Sequence, residues 1–166
     1  MLQGSKQKRI YDWNMVRGML DKGFNPALQT KMLTEESREF HDAYKEQDMV
    51  GMIDAYCDFI FVLRGAQASL IATDFGEDYH AYKTALDIVN GATNQGFMLL
   101  ELLTKLVPVG PVDINQCLSY VIDANEAKPA TKKGGKVIKG NEWVDPKFKI
   151  KMLLFGTPEV GLDVTV

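Results

Sequence analysis

Residues 34–63 carry the sequence TEESREFHDAYKEQDMVGMIDAYCDFIFVL, which predicts two α-helices joined by a short polar turn. In the second half, from Met49 to Leu63, the only charged residues are Asp54 and Asp58. A helix of this composition is expected to be buried on nearly all sides. The two aspartates lie four residues apart, so they project from one face of the helix. Unpaired carboxylates in such a place are destabilising unless they take up protons or find a cation.

The first helix of this pair repeats the unusual placement of acids. It has an apolar stripe through Leu33, Phe40 and Tyr44. At about 100° per residue, Glu36 and Glu39 fall inside the sector of that stripe, and Glu35 lies further round. Acidic pairs facing each other on two antiparallel helices predict a site for a hard divalent cation such as Mg²⁺, which takes oxygen ligands. The alternative is that the glutamates form a solvated face near a helix N-terminus, where acids are favourable.

Length and composition indicate an ordinary globular protein. The 166 residues are 46% apolar and 25% charged, which fits a single domain over residues 1–166 with a proper core. We expect a helical core over about 10–126 and an irregular loop and tail over 127–166. The net charge of −3 gives no electrostatic basis for binding nucleic acid, which usually requires a basic surface.

The sequence predicts a cytoplasmic protein that does not cross a membrane. Its two cysteines, Cys57 and Cys117, fall in predicted helices and indicate a reducing compartment rather than a disulfide framework. The N-terminus has charged residues but no apolar run behind them, so no signal peptide is visible. The longest apolar stretch is interrupted by Asp54 and Asp58, which argues against a membrane span.

Apolar spacing and capping residues place the other helices. We expect helices over about 10–20, 26–47, 49–73, 79–90, 97–107 and 113–125. Gly91 and Gly96 are expected to interrupt the segment between residues 79 and 107. A short strand is expected over 136–139, and the tail from residue 141 is expected to be irregular. The fold class is therefore all-α, a helical bundle with an irregular C-terminal loop and tail.

A local concentration of lysine follows the last of these helices. The twelve residues 128–139 contain five lysines around Gly134 and Gly135, although the whole chain is acidic. Lysine binds phosphate as a mobile point charge, and glycine-rich turns expose backbone N–H groups to anions. A solvated flexible loop is the alternative for this stretch alone. An acidic metal cluster combined with a basic loop is what a polyphosphate site requires.

Residues 33–65 resemble the all-α nucleoside triphosphate pyrophosphohydrolase superfamily, which includes MazG-like enzymes, dimeric dUTPases and phosphoribosyl-ATP pyrophosphohydrolases. The superfamily's EExxE pattern is matched by Glu35, Glu36 and Glu39, and the aspartate of its ExxD pattern by Asp58. The glutamate of ExxD falls at Ala55, which cannot bind a metal. Asp54, one position earlier, is expected to substitute for it.

The resemblance extends to a branch that is common in bacteriophages and their hosts. That branch has a similar D-A-x-x-D pattern and a C-terminal stretch similar to NEAK at 125–128, GGKVIKG at 134–140, and an aromatic-Pro ending, here Trp143 and Pro146. The resemblance therefore covers the two-helix core and the region 121–146. It leaves 74–112 unmatched, and we expect the base pocket to involve that segment.

The resemblance implies cleavage of a nucleotide between its α- and β-phosphates, which gives a monophosphate and pyrophosphate. It implies Mg²⁺, or Mn²⁺ as the alternative ion, held by Glu36, Glu39, Asp54 and Asp58, with Glu35 as a further ligand or as the base that orients water. The catalytic set is Glu35, Glu36, Glu39 and Asp58, and the expected phosphate contacts are Asn125, Lys128, Lys136 and Lys139. A homodimer or homotetramer is expected. Substrates left open are a standard or modified (d)NTP, dUTP and phosphoribosyl-ATP, of which the last fits least well.

Two other classes of function remain as alternatives. Ala55 keeps open a catalytically degenerate homologue that binds a nucleotide or phosphate without turnover. A di-iron or di-manganese bundle needs Glu-x-x-His pairs on two helices, and the only histidines, His41 and His80, do not provide them. Cys57 is assigned to the core, because no histidine is placed to activate it. The methionines and aromatic residues are likewise assigned to core and subunit contacts.

Overall fold

The computed structural model describes residues 5–107, 113–129, 132–133, 136–137, 139–140 and 143–156, with the backbone alone for 132–133 and 136–137. Within these residues it contains six helices, α1 to α6, and two short strands, β1 and β2. The helices are Lys6–Val16, Pro26–Glu46, Met49–Ala72, Tyr79–Leu106, Ile114–Glu126 and Lys147–Phe155. The strands are Lys132–Lys133 and Lys136–Val137, which pair antiparallel. The all-α fold class is confirmed.

Helix α3 is the centre of the fold, as its apolar sequence predicts. It packs against each of the other five helices. Its side chains at Met52, Ile53, Cys57 and Phe59 are fully buried. Other buried side chains of the same core come from the surrounding helices, and include Ile10, Phe40, Leu99, Leu103, Val121, Ile122 and Ile150. The assignment of Cys57 to the core is confirmed.

A tight connection joins α2 to α3 and fixes how their acidic residues meet. Gln47 ends α2 in the left-handed region, with φ of 55°, and its N–H donates to the carbonyls of Ala43 and Tyr44. Asp48 then caps α3, because its carboxylate accepts a 2.9 Å hydrogen bond from the N–H of Gly51. A Cβ at Gly51 would lie 2.4 Å from a carboxylate oxygen of Asp48, so a larger residue there would displace the carboxylate from its capping position. With two residues between the helices, α2 and α3 form a helical hairpin.

The sequence prediction is wrong about an interruption between residues 79 and 107. Helix α4 runs without a break through Gly91 and Gly96. Glycine in a helix interior costs about 1 kcal/mol relative to alanine, which tertiary packing readily offsets. Gly96 is buried where α4 crosses α3, and a Cβ there would lie 3.4 Å from the ring of Phe59. This glycine lies in the contact between α3 and α4 and does not end the helix.

The prediction of an irregular tail is also wrong for residues 147–155. These residues form α6, which packs against α3 and α5 through the fully buried side chain of Ile150. Alternating lysines and apolar residues in KFKIKMLLF conceal the helical period, so the helix depends on tertiary contact. At the other end of the chain, α1 begins at Lys6 with a cap from Ser5, four residues earlier than predicted, and it ends at Val16.

No helix within the described ranges is long and apolar enough to cross a membrane.

Candidate active site

A pocket of about 290 Å³ lies where the α2–α3 hairpin meets α1 and the end of α5. Its lining residues are of three kinds: acids, groups from the end of α5 and the region after it, and uncharged residues. The acids are Glu36, Glu39 and Asp58, and the second group is Asn125, Lys128 and Lys139. The remaining lining residues are Trp13, Asn14, Met19, Gln29, Met32, Phe61, Val62 and Gly65.

The acidic side of the pocket comes from both helices of the hairpin. Glu36 and Glu39 of α2 and Asp58 of α3 all line it. Glu39 is exposed and Glu36 is half-buried, so these two glutamates lie at the edge of the apolar stripe rather than within it. Asp58 is half-buried and lies deeper, in dense protein. The pocket therefore brings together three of the carboxylates that the sequence predicts.

The electrostatics of Asp58 reflect both sides of the pocket. Burial raises the pKa of Asp58 to about 7, and Glu36 and Glu39 add to the rise by charge repulsion. Lys128 and Lys139 act in the opposite direction and favour the carboxylate. Asp58 therefore interacts electrostatically with two acids of α2 and with two lysines of the C-terminal region.

Asp54 occupies a different place from Asp58, although both lie on α3. It is buried, does not line the pocket, and its Oδ1 atom accepts no hydrogen bond from any described residue. Burial and the charge of Asp58 raise the pKa of Asp54 to about 8, while Lys147 at the start of α6 lowers it. Asp145 and Glu39 also contribute repulsion. Asp54 thus interacts electrostatically with the pocket acids although it does not line the pocket.

These acids have the oxygen ligands that a divalent cation prefers, but their side chains are not arranged in a closed metal-binding group. The described residues contain no group of three or more His, Cys, Asp or Glu side chains arranged to hold a metal ion. A buried unpartnered oxygen on Asp54 and two carboxyls with raised pKa values are what is expected of acids that lack a counterion. Mg²⁺ keeps several waters and is usually held by one or two carboxylates together with substrate phosphates. The donor set therefore fits Mg²⁺ or Mn²⁺.

The basic side of the pocket is organised around Asn125 and Trp143. Asn125 is buried, donates to the carbonyl of Val121 at 3.0 Å, and accepts a 2.8 Å hydrogen bond from Lys128 Nζ. Lys139 Nζ lies 4.0 Å from the centre of the Trp143 ring. Burial lowers the pKa of Lys128, while the negative charge of Asp58 opposes this decrease. Two lysine cations are thus held facing the acids.

Helix α1 fixes the end of α5 that carries these groups. Trp13 Nε1 donates a 2.8 Å hydrogen bond to the carbonyl of Asn125, and the Trp13 ring packs edge-on against Phe61. Arg17 donates to the carbonyl of Lys128 at 2.6 Å. Arg9 forms ion pairs with two acids of α5, Asp123 at 2.6 Å and Glu126 at 2.8 Å. The backbone of residues 125–128 is therefore held from outside the pocket.

Two described residues predicted for the site, Glu35 and Asp54, do not line the pocket. Glu35 is half-buried, and Asp54 is buried and interacts electrostatically with Asp58. Lys136 lies in β2, and its side chain is outside the described part of the chain. Ala55, at the position of the family glutamate, is buried in the core and supplies no oxygen ligand.

The uncharged part of the pocket is absent from the sequence prediction. Trp13, Met19 and Met32 line the pocket, whereas the sequence assigns such residues to core and subunit contacts. No lining residue comes from 74–107, the described part of the segment expected to form a base pocket. A usable signal was present: Asn14 lies one helical turn after Ile10, on the buried face of α1, where an apolar residue is expected.

Comparison with known proteins finds a family match over part of the chain. Residues 8–70 match the family model described as phosphoribosyl-ATP pyrophosphohydrolase. That family is part of the MazG-like nucleotide pyrophosphohydrolase superfamily, so the resemblance inferred from the acidic motifs is confirmed over this segment. Its members are hydrolases that act on phosphoanhydride bonds, which confirms the prediction of an enzyme class. No curated protein and no solved structure matches the chain.

The match does not test two finer predictions, the phage-type branch and the substrate. It ends within α3, so the predicted similarity of residues 121–146 to a phage-type branch stays a prediction. The description of the family names phosphoribosyl-ATP, the substrate that the sequence favours least, but a family match does not choose the substrate.

Proposed function

Since residues 8–70 match the pyrophosphohydrolases of the MazG-like superfamily, we propose that this chain hydrolyses a nucleoside triphosphate or a related nucleotide to a monophosphate and pyrophosphate. One observation carries the proposal: three carboxylates of the α2–α3 hairpin face two lysines across a single pocket. A nucleotide polyphosphate needs both: carboxylates hold the metal ion that neutralises its charge, and lysines position its phosphates.

The acids have the composition of a cation site. Glu36, Glu39 and Asp58 would hold Mg²⁺, with Asp54 as the fourth carboxylate next to Asp58. Mn²⁺ is the alternative ion. When bound, the ion supplies Lewis-acid polarisation of the phosphates and neutralises negative charge on the departing pyrophosphate.

The remaining groups position the substrate and the attacking water. Lys128 and Lys139 bind phosphate oxygens, and Lys136 is assigned the same role from its position in sequence. Asn125 directs Lys128 through the 2.8 Å hydrogen bond between them. Glu35 orients a water and accepts its proton, or joins the metal ligands. The water oxygen bonds to the α-phosphorus, the bond from that phosphorus to the bridging oxygen breaks, and pyrophosphate leaves.

The test is a panel of nucleotides assayed with and without Mg²⁺, with pyrophosphate and orthophosphate measured separately. We expect pyrophosphate release that depends on Mg²⁺ and is lost in Asp58→Asn. Asp87→Asn is the matched control, because Asp87 is an exposed aspartate of α4 whose partner is Lys83. Orthophosphate release, or pyrophosphate release that does not need a divalent cation, would contradict the proposal.

A second candidate, nucleotide binding without turnover, rests on Ala55. This alanine is buried and replaces a carboxylate of the family pattern. Binding that depends on Mg²⁺, with no turnover of any nucleotide in the panel, would favour this candidate.

We propose that the protein forms homodimers or homotetramers. Phe97 and Met98 of α4 are about two-thirds exposed, at 68% and 64%, and exposed apolar patches of this kind commonly mark subunit contacts. Light scattering after size-exclusion chromatography tests the assembly. The cytoplasm is the proposed location, since Cys57 and Cys117 are both buried free thiols.

A further inference from the structure

Gln29 lines the pocket and has a buried acceptor atom without a partner among the described residues. The side chain is 6% exposed and lines the pocket from the first turns of α2. Its Oε1 atom is fully buried and accepts no hydrogen bond from any described residue. Buried polar atoms are nearly always hydrogen-bonded, so an exception on a side chain that lines a pocket indicates a missing donor.

The position of Gln29 along the hairpin separates it from the charged groups. Gln29, Met32, Glu36 and Glu39 follow one another along the same face of α2, and all line the pocket. At about 1.5 Å rise per residue, Gln29 lies roughly 10 Å from Glu36 along the helix axis. On α3, which returns beside α2, the order is reversed and runs from Asp58 to Gly65. The carboxylates thus occupy one end of the hairpin, and Gln29 the other.

The surroundings of Gln29 suit a flat heterocycle rather than a phosphate. The residues that line the pocket beyond the acids and the lysines are uncharged and include Trp13, Met19, Met32 and Phe61. Aromatic rings and methionine bind flat apolar surfaces well, and a few placed polar groups then fix orientation. Asn14 is the second buried amide here, but its Nδ2 already donates to the carbonyl of Ile10 at 2.7 Å.

We propose that Gln29 determines base specificity, by accepting a hydrogen bond from an N–H group on the edge of the nucleotide base. The inference rests on the proposed function, because it assigns the carboxylate end of the pocket to the phosphates. The donor is either an exocyclic amine, as in adenine and cytosine, or the ring N–H of uracil and thymine. Both satisfy Oε1, and they are distinguished by experiment.

The test uses pairs of nucleoside triphosphates in which the second member lacks the donor. The pairs are ATP with purine riboside triphosphate, CTP with the analogue that lacks the 4-amino group, and UTP with 3-methyl-UTP. Leaving a buried acceptor unpaired is expected to lower kcat/KM by about 10- to 100-fold for the deficient member of the recognised pair. The pair that shows the effect names the kind of donor.

Gln29→Met should remove this discrimination, because methionine has a similar length and helix propensity but no carbonyl acceptor. Gln29→Glu keeps an acceptor and should keep the discrimination. Gln67→Met is the matched control, since Gln67 is a half-buried glutamine of α3 that does not line the pocket. Equal kcat/KM within every pair for the unmodified protein, or unchanged discrimination in a folded Gln29→Met protein, would overturn the proposal.

Calorimetric titration separates this inference from the proposed function. The same pairs, made with a non-hydrolysable link between the α- and β-phosphates, give dissociation constants without turnover. A preference in binding that Gln29→Met removes would support the role of Gln29 even in a protein that hydrolyses nothing. Turnover of nucleotides with equal affinity within each pair would leave the proposed function standing and overturn the role of Gln29.

Discussion

Lys139 and Trp143 form the closest cation–ring contact among the described residues, with the lysine Nζ 4.0 Å from the centre of the indole ring. Lys128 Nζ lies 5.8 Å from the centre of the same ring. Trp143 is itself fixed to α5, because its Nε1 donates a 3.1 Å hydrogen bond to the carbonyl of Ala124. One tryptophan therefore holds both pocket lysines in place opposite the carboxylates.

Trp143→Leu should weaken phosphate binding without changing the lysines themselves. A cation–ring contact contributes about 0.5–2 kcal/mol, so we expect the dissociation constant for pyrophosphate to rise roughly 2- to 30-fold. Trp143→Phe keeps a ring and should show a smaller rise. Phe148→Leu, at an exposed aromatic residue of α6, is the control. Equal affinity in Trp143→Leu and the control would mean that the ring does not position the lysines.

Asp58→Asn should abolish turnover and stabilise the metal-free protein. The change removes a group whose carboxylate is disfavoured by burial and by repulsion from Glu36. We expect at least about a 100-fold loss of kcat/KM, since the site then lacks a central negative group. In buffer with chelator at pH 8, we expect the free energy of unfolding to rise by about 1–2 kcal/mol. Loss of the fold, measured by circular dichroism, would instead assign Asp58 a structural role.

The free energy of unfolding of the metal-free protein should fall as pH rises from about 5 to 8. Asp54 and Asp58 have pKa values raised from 3.8 to about 8 and about 7. Between these limits the folded protein binds more protons at the two carboxyls than the unfolded chain, so stability decreases with increasing pH. The contribution of the two carboxyls to stability is fully present below their unfolded pKa of 3.8. It is lost as the pH rises through their folded pKa values of about 7 and about 8.

Urea unfolding at several pH values, with chelator present, measures this dependence. Asp54→Asn and Asp58→Asn should each reduce it, and Asp87→Asn should leave it unchanged. Added Mg²⁺ should oppose the loss at pH 8, because a ligand that binds only the folded state stabilises it. A stability that is constant or rises over this range would mean that the two carboxyls are ionised throughout.

The sequence predicts the α2–α3 hairpin well because local and global signals agree there. Asp48 provides a cap, the apolar period is clear on α2, and Asp54 and Asp58 are the only charged residues of α3 from Met49 to Leu63. The acids of the site follow from the same pattern, since a carboxylate among apolar residues is conspicuous. Helix α6 and the continuous α4 lack such signals. They depend on packing against α3, which no local pattern in KFKIKMLLF or around Gly96 reveals.

The uncharged end of the pocket had one sequence signal, Asn14 on the buried face of α1, but its arrangement could not be predicted. Gln29 and Asn14 are single polar residues on separate helices, and neither forms a spacing that indicates chemistry. Only the packing of α1 across the hairpin brings Trp13 against Phe61 and places both amides at one pocket. The basic end was predictable in composition, from five lysines, but not in arrangement.

Gly65 and Asn14 provide a test of the uncharged end that leaves every charge in place. A Cβ at Gly65 would lie 3.2 Å from both amide atoms of Asn14, so alanine there should push the Asn14 side chain within the pocket. Helix propensity favours alanine by about 1 kcal/mol, which should offset much of the crowding, and we expect a net change in unfolding free energy of less than about 1 kcal/mol. The KM for nucleotide should rise severalfold.

Gly91→Ala is the matched control, because Gly91 is also within a helix but has nothing within 4 Å of its Cβ position. It should stabilise the protein by up to about 1 kcal/mol and leave KM unchanged. The KM ratio of the two variants isolates the displacement of Asn14 from the general effect of alanine in a helix. If Gly65→Ala behaves like Gly91→Ala in both measurements, Asn14 is not held against the substrate, and recognition at this end depends on Gln29 and the aromatic residues alone.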